Sequence, residues 1–459
     1  MMNTYRRIYF TGIAAYVIML ILSILFYKER GILLDSAYDL FHLLRGEFDV
    51  NVVRFAGILP KLPPYFAIKE GLPLNTVLIS YSVANVAYYF ALYVICGGVL
   101  KRYDVAIGIL LCNILFVTEC FYYMPSELPQ GLAFLLFTIA CIPELGKTKA
   151  LHWVVVPLCA IGCAFFHPLM LFAVGYAIVF FLLRKGTGMD RRMLYLFACV
   201  FVVFILLKMF VIRSQYEQQT MGVLGNFVRL FPNYFAIHAN KAFFIHCFTR
   251  YYWMPLVCAG TATVYVRNKE WKRLVFFGVS VLGYIAIVNV SYPYINTPTF
   301  YIENLYLPLG LFLTLPFIYD LLPVLVSRQI AVPVVAAIIV TGCVRIYIAH
   351  NIFTERLTVE RELIKQYGDK KIIISSKHVP LDILQMTWGA PYEFLLLSVS
   401  DGDKPASIII DDKPIFRTTE RTKTLIVNWN MYTYDEVNPR YFHFADTTTG
   451  YVTEEAGTK

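Results

Sequence analysis

Residues 8–27 read IYFTGIAAYVIMLILSILFY, an uncharged run of twenty closed by Lys28-Glu29-Arg30. A helix needs about 20 predominantly apolar residues to cross the hydrocarbon core of a bilayer, and this run meets that length. The flanking charge cluster and the lack of a small-residue cleavage site argue against a removable signal peptide. Further apolar runs follow at 75–99, 105–124, 130–144, 152–167, 169–184, 193–212, 252–267, 274–292, 304–325 and 330–349. With the first, they predict about eleven membrane-spanning helices.

Composition agrees with that reading. Of 459 residues, 58% are hydrophobic and 15% charged, with a mean hydropathy of +0.60. A soluble domain carries about 25% charged residues. The apolar runs end near residue 350, and the last 109 residues hold 13 basic and 16 acidic side chains. The expected architecture is therefore an all-α polytopic membrane domain over 1–350 and a small α/β domain over 351–459. Within the second part the pattern predicts helix 354–367, strand 371–376, helix 379–388, a mixed segment 391–398, strands 406–410 and 423–428, and a disordered tail from about 447.

Basic residues assign the sides. Arg6 and Arg7 precede the first run. Lys101 and Arg102, Lys147 and Lys149, Arg184, Arg267 and Arg328 follow the even-numbered ones. Lys and Arg collect on the cytoplasmic side, so the N-terminus is expected inside. An odd number of spans then puts the C-terminal domain outside, in keeping with a bacterial inner (plasma) membrane. The same bias explains the net charge of +9 without a nucleic-acid partner. Nine of ten cysteines fall within the apolar runs and show no zinc spacing, which suits free cysteine acting as a small apolar side chain.

Long loops at 28–74 and 213–251 both fall on the expected outer face. The first opens with a stretch in which Asp35, Asp39 and His42 recur at helical spacing, and Gly46 offers a stop. Two carboxylates and an imidazole on one stripe suit proton transfer, although an amphipathic surface helix carries such a stripe too. Arg54 and Lys61 follow, among the prolines of Leu59-Pro60-Lys61-Leu62-Pro63-Pro64-Tyr65. Glu119 is an ionisable residue inside the third run, a costly position that needs a partner or a task. Glu127 lies in the next outer turn, His167 in the turn before Pro168, and Arg250 precedes Tyr251-Tyr252-Trp253. Arg54, Lys61 and Arg250 are the cations expected to reach an anionic headgroup.

A first span, a long outer loop opening on an acidic helix, Gly46-Glu47-Phe48-Asp49, Pro63-Pro64-Tyr65 and an acid at Glu127 together resemble the GT-C class of glycosyltransferases. These polytopic enzymes use sugars linked to lipid phosphate. The resemblance covers residues 1–200 well and the remaining spans loosely. It implies that Asp35, with Asp39 as competitor, is the catalytic base. His42, Arg54, Lys61, Glu119, Glu127, His167 and Arg250 are then expected at the substrate. The implied partners are a polyprenyl-phosphate sugar donor, membrane lipid and a glycan or lipid acceptor, with a divalent metal as a candidate cofactor. Two departures stand out. Asp35 is followed by Ser36 rather than Glu, and Tyr301-Ile-Glu303-Asn304-Leu-Tyr-Leu-Pro308 lacks the arginine found there in many bacterial members. Rival expectations are a glycan polymerase or ligase, a transporter or flippase of lipid-linked glycans, and a non-catalytic membrane protein of a glycan-assembly pathway.

Overall fold

A computed structural model describes residues 2–48, 51–184, 188–212, 214, 216, 217, 219, 222–293, 297–368, 370–402, 404–411, 424–427 and 430–453. Asp49 and the two ends of the expected strand 423–428 lie outside that set. The chain is mostly helical. In order, the helices are α1 (Met2–Leu25), α2 (Asp35–Leu44), α3 (Leu62–Lys69), α4 (Leu74–Val94), α5 (Tyr103–Cys112), α6 (Glu127–Cys141), α7 (His152–Ala164), α8 (Met170–Leu183), α9 (Arg191–Leu207), α10 (His238–Thr249), α11 (Trp253–Arg267), α12 (Trp271–Ser291), α13 (Thr299–Pro316), α14 (Ala331–Tyr367) and α15 (Ala390–Asp401), with shorter helical turns between them.

Among the described residues, six helical stretches are long and apolar enough to cross a membrane: Met2–Leu25, Leu74–Val99, Arg191–Ile212, Trp271–Ser291, Thr299–Ser327 and Ala331–Tyr367. Helices α5 to α8 are apolar but shorter. Helix α1 packs on α4 through stacked rings, Tyr9 on Tyr93 at 5.0 Å and Tyr16 on Phe90 at 5.3 Å. The Tyr93 hydroxyl also donates to the Tyr9 carbonyl at 2.6 Å.

The expected span 105–124 is not one helix. Helix α5 stops at Cys112, so at 1.5 Å per residue it covers about 15 Å, half of a hydrocarbon core about 30 Å thick. At its end the Asn113 amide donates back to the Ile109 carbonyl at 2.9 Å and to the Tyr16 hydroxyl at 3.1 Å. Residues 113–126 then run without regular helix apart from one tight turn at Glu119–Phe121, and nearly all of them are buried. Buried backbone polar groups need partners, and here side chains from four other segments supply them. Glu303 accepts the Cys120 N–H at 2.7 Å. Arg30 donates to the Phe121 carbonyl, and Asn85 to that of Met124 at 3.3 Å. Arg345 reaches the carbonyls of Ile114 at 2.9 Å and Leu115 at 3.3 Å.

Charged helix ends meet far from this segment too. Asp320 takes Arg184 at 3.2 Å, the Tyr265 hydroxyl at 2.9 Å and Arg273. That joins the end of α8, the end of α11 and the start of α12.

Past residue 350 the structure departs from the expected break. Helix α14 runs unbroken from Ala331 to Tyr367, because no glycine or proline lies between Gly342 and Gly368. Strands β1 (Ile372–Ile374) and β2 (Ile408–Ile410) pair in parallel, with Ile372 opposite Ile408. All six of their isoleucines are buried, as befits parallel strands covered on both faces. The segment 391–398 is helical, within α15. Strands β3 (Thr424–Val427) and β4 (Asn430–Thr433) form an antiparallel pair. The tail is ordered further than expected, since β5 (Val452–Thr453) joins β1 in parallel. This C-terminal part packs on the first loop rather than standing off it. Asn438 donates to the Leu44 carbonyl at 2.8 Å, Tyr441 to that of Leu72 at 2.9 Å, and Lys28 pairs with Asp401 at 2.5 Å.

Candidate functional site

The first loop is held from below by Arg30, which is fully buried. Its guanidinium lies 3.9 Å from the Phe121 ring centre and donates to the Ser82 hydroxyl at 2.8 Å and the Asn85 amide oxygen at 3.3 Å. Burial pulls its pKa down to about 10 against the opposing pull of Tyr122, Tyr89 and Tyr81, which still leaves it charged at neutral pH. It ties the loop to α4 and to the irregular segment 113–126.

Helix α2 follows, and Gly46 ends it at φ 83°, a backbone that glycine adopts without strain. The helix does not lie with its polar stripe in water: Asp39 and His42 are each only 8% exposed. Asp35, at its first turn, is half-buried and accepts a hydrogen bond from the Tyr123 hydroxyl. Asp39 pairs with Lys61 at 2.8 Å and accepts from the Tyr81 hydroxyl at 3.4 Å. His42 turns to Glu47, at 2.6 Å, and Arg45 takes the same carboxylate at 3.1 Å. Asp35 and Asp39 therefore share one electrostatic neighbourhood, while His42 is engaged at the loop's turn.

Arg54 joins that neighbourhood. It binds Glu127 at 2.8 Å and Glu217 at 3.3 Å, and Glu217 also faces Lys208 at 3.3 Å. Lys208 is 2% exposed. Burial alone would lower the Arg54 pKa, but Glu127 and Glu217 outweigh it and raise it. Burial is also the main cause that pushes Asp35 up to about 6. The Tyr123 hydrogen bond works against it, Asp39 and Glu127 add repulsion, and Arg54 opposes them. In His167, Nδ1 accepts the Leu169 N–H at 3.1 Å, so a proton on the neutral ring sits at Nε2.

Glu119 and Arg250 form a second pair, between a buried carboxylate and a half-buried guanidinium. Glu119 is 4% exposed, and the fully buried Glu303 lies close by, bound to the neighbouring Cys120 N–H. Arg345 donates to the Arg250 carbonyl. The structure thus divides seven of the nine expected residues between two centres and leaves His42 on Glu47 and His167 on its own turn. Asp35, Asp39, Arg54, Lys61 and Glu127 belong to one, and Glu119 and Arg250 to the other.

A cavity of about 40 Å³ lies beside the first centre, lined by Tyr16, Asn85, Tyr89, Asn113, Cys120 and Tyr123 among others. That is room for a water molecule or two. Tyr123 stands between it and Asp35. Three cations (Arg54, Lys61, Lys208) face four carboxylates (Asp35, Asp39, Glu127, Glu217) in the first centre. Arg54 and Lys61 are thus each engaged by a carboxylate, with which any anion reaching them would compete. Among the described residues no three His, Cys, Asp or Glu side chains are placed to hold a metal ion, and Asp39 and His42 each have another partner.

Several of these residues escaped the reading of the sequence. Tyr81, Tyr123 and Glu217 carry no local pattern that marks them. Glu303 does carry one, as the sole acid in the apolar run 299–316. Helices of this length and apolarity are compatible with an integral membrane protein. Comparison with protein-family models, curated proteins and solved structures found no match.

Proposed function

We propose that this protein is a membrane-embedded glycosyltransferase that moves a hexosyl or pentosyl group from a polyprenyl-phosphate donor to an extracytoplasmic acceptor. The observation that carries this reading is Asp35: half-buried, set near a pKa of about 6, held by the Tyr123 hydroxyl, and next to the Lys61–Asp39 and Arg54–Glu127 pairs, whose cations a phosphate can engage. A general base works best with a pKa close to the working pH. In the proposed step, Asp35 takes the proton of the acceptor hydroxyl as its oxygen bonds to the anomeric carbon. The bond from that carbon to the phosphate oxygen breaks, and the lipid phosphate leaves with the electron pair. Arg54 and Lys61 stabilise the leaving charge once released from Glu127 and Asp39. One displacement inverts the anomeric centre. The proposal includes about eleven crossings, the third made by α5 together with the irregular segment 113–126, the N-terminus in the cytoplasm and the C-terminal part outside, in a bacterial inner membrane.

The test is transfer of labelled sugar from a polyprenyl-phosphate donor by wild type, Asp35→Asn and Asp39→Asn in proteoliposomes. Asp35→Asn is expected to lose about 10²–10⁴-fold of the rate. Full activity in both variants sinks the mechanism. The second reading, a transporter or flippase of lipid-linked glycans, draws support from the unwound segment 113–126 and the buried Glu119 carboxylate paired with Arg250, since transporters build sites from broken helices and buried charge. Movement of labelled lipid across the bilayer with no new glycosidic bond favours it.

A further inference from the structure

The C-terminal part carries a fully buried carboxylate, Glu393 on α15, whose two oxygens serve different masters. Oε1 accepts the backbone N–H of Leu34 at 2.6 Å. Oε2 takes Arg356 Nε at 3.0 Å and Nη2 at 2.6 Å. Arg356, 4% exposed, is held in turn by Glu360 at 3.1 Å and by the Leu384 carbonyl. Leu34 is the residue immediately before Asp35. Its backbone, at φ 43° and ψ −113°, lies in a region that a leucine adopts only under constraint. Gly389 presses on the same turn, since a Cβ added there would sit 2.8 Å from the Leu34 Cα. One helical turn into α2, the Tyr38 ring meets the rings of Tyr392 at 5.4 Å and Trp388 at 6.5 Å.

We infer that Glu393 is a positioning residue: the C-terminal part clamps the turn at Leu34 and so fixes where α2 presents Asp35. This rests on Asp35 being the base. The physical case is that a strained turn persists only when its surroundings over-determine it. Here a buried charged acceptor, itself oriented by an arginine, holds the one N–H that precedes the helix. A disposition off by about 1 Å at a reacting group costs about 100-fold in rate. The C-terminal part thereby acts on the outer site without touching substrate.

The test uses the full-length protein in nanodiscs, with Glu393→Gln, Glu393→Met and the triple variant Arg356→Met/Glu360→Leu/Glu393→Met. Glutamine keeps an acceptor for the Leu34 N–H. The triple variant removes the whole charged set together, so no lone buried charge is left to unfold the chain. Hydrogen exchange of residues 32–36 is expected to quicken about tenfold or more in the Met and triple variants and to stay near wild type in Glu393→Gln. In the transfer assay kcat is expected to fall about 100-fold with the donor KM little changed, and Glu393→Gln to retain most of it. Unchanged exchange at 32–36 in the triple variant overturns the clamp. Faster exchange with unchanged kcat overturns the positioning role. A wild type that shows the exchange pattern but transfers no sugar overturns the transferase reading and leaves the clamp standing.

Discussion

Asp35 is where chemistry and stability pull in opposite directions. An aspartate ordinarily titrates at 3.8, and burial pushes this one up to about 6. The folded chain therefore binds the proton more tightly than the unfolded chain does. The stability gained from that proton is fully present below 3.8 and is lost as pH rises through about 6. Asp35→Asn should then show higher thermal stability than wild type at about pH 7.5 and little difference at about pH 4, while losing transfer activity. Equal melting midpoints at both pH values would count against the assignment. Wild-type kcat/KM should fall on the acid side with an apparent pKa near 6, and a flat profile across that range removes Asp35 as the base. Asp35 was legible in the sequence as the first acid on a helical stripe. Its pKa was not, because the main cause is burial by the fold, and of the groups that adjust it Arg54, Tyr123 and Glu127 lie outside α2.

Among the elements, the segment 113–126 departs most from what its residues suggest. Its apolar, aromatic and β-branched composition continues the hydropathy of α5, so a window of hydropathy sees one span. Hydropathy measures preference for an apolar surrounding and is indifferent to whether the backbone is coiled or helical. What allows the helix to stop is the supply of outside partners for its freed N–H and C=O groups, chiefly Arg30, Asn85, Glu303 and Arg345. Glu303→Leu removes the acceptor of the Cys120 N–H, and leaving such a donor buried and unpaired costs about 2 kcal/mol. Glu303→Gln keeps an acceptor there. The Leu variant should therefore melt well below the Gln variant in detergent, and identical midpoints would show that the bond does not hold the segment. By contrast, α2 and its stop at Gly46 were readable, since spacing and a turn glycine are local properties.

For the molecule as a whole, charged side chains from distant parts of the chain gather in separate clusters. Asp320 gathers Arg184, Tyr265 and Arg273 at one set of helix ends, while Arg54 gathers Glu127 and Glu217 at another. If the proposed orientation holds, a cysteine at Glu70 reacts with a membrane-impermeant maleimide in intact cells, and one at Lys147 reacts only after permeabilisation. Both positions are solvent-exposed, so reaction of Lys147→Cys from outside reverses the assigned orientation. The C-terminal part was expected as an appendage and is instead seated on the first loop and α4 through Asn438, Tyr441, Ser400 and Asp401. By itself, the sequence determined that long apolar helices build most of the chain and where the acidic loop helix begins. Both follow from hydropathy and period, which are sums over neighbouring residues. Only the tertiary structure decided that α5 breaks off, that each cation of the candidate site already has a carboxylate, and that Glu393 grips the turn ahead of Asp35. Those depend on pairings between residues dozens to hundreds of positions apart, and no local pattern encodes the partner of a buried charge.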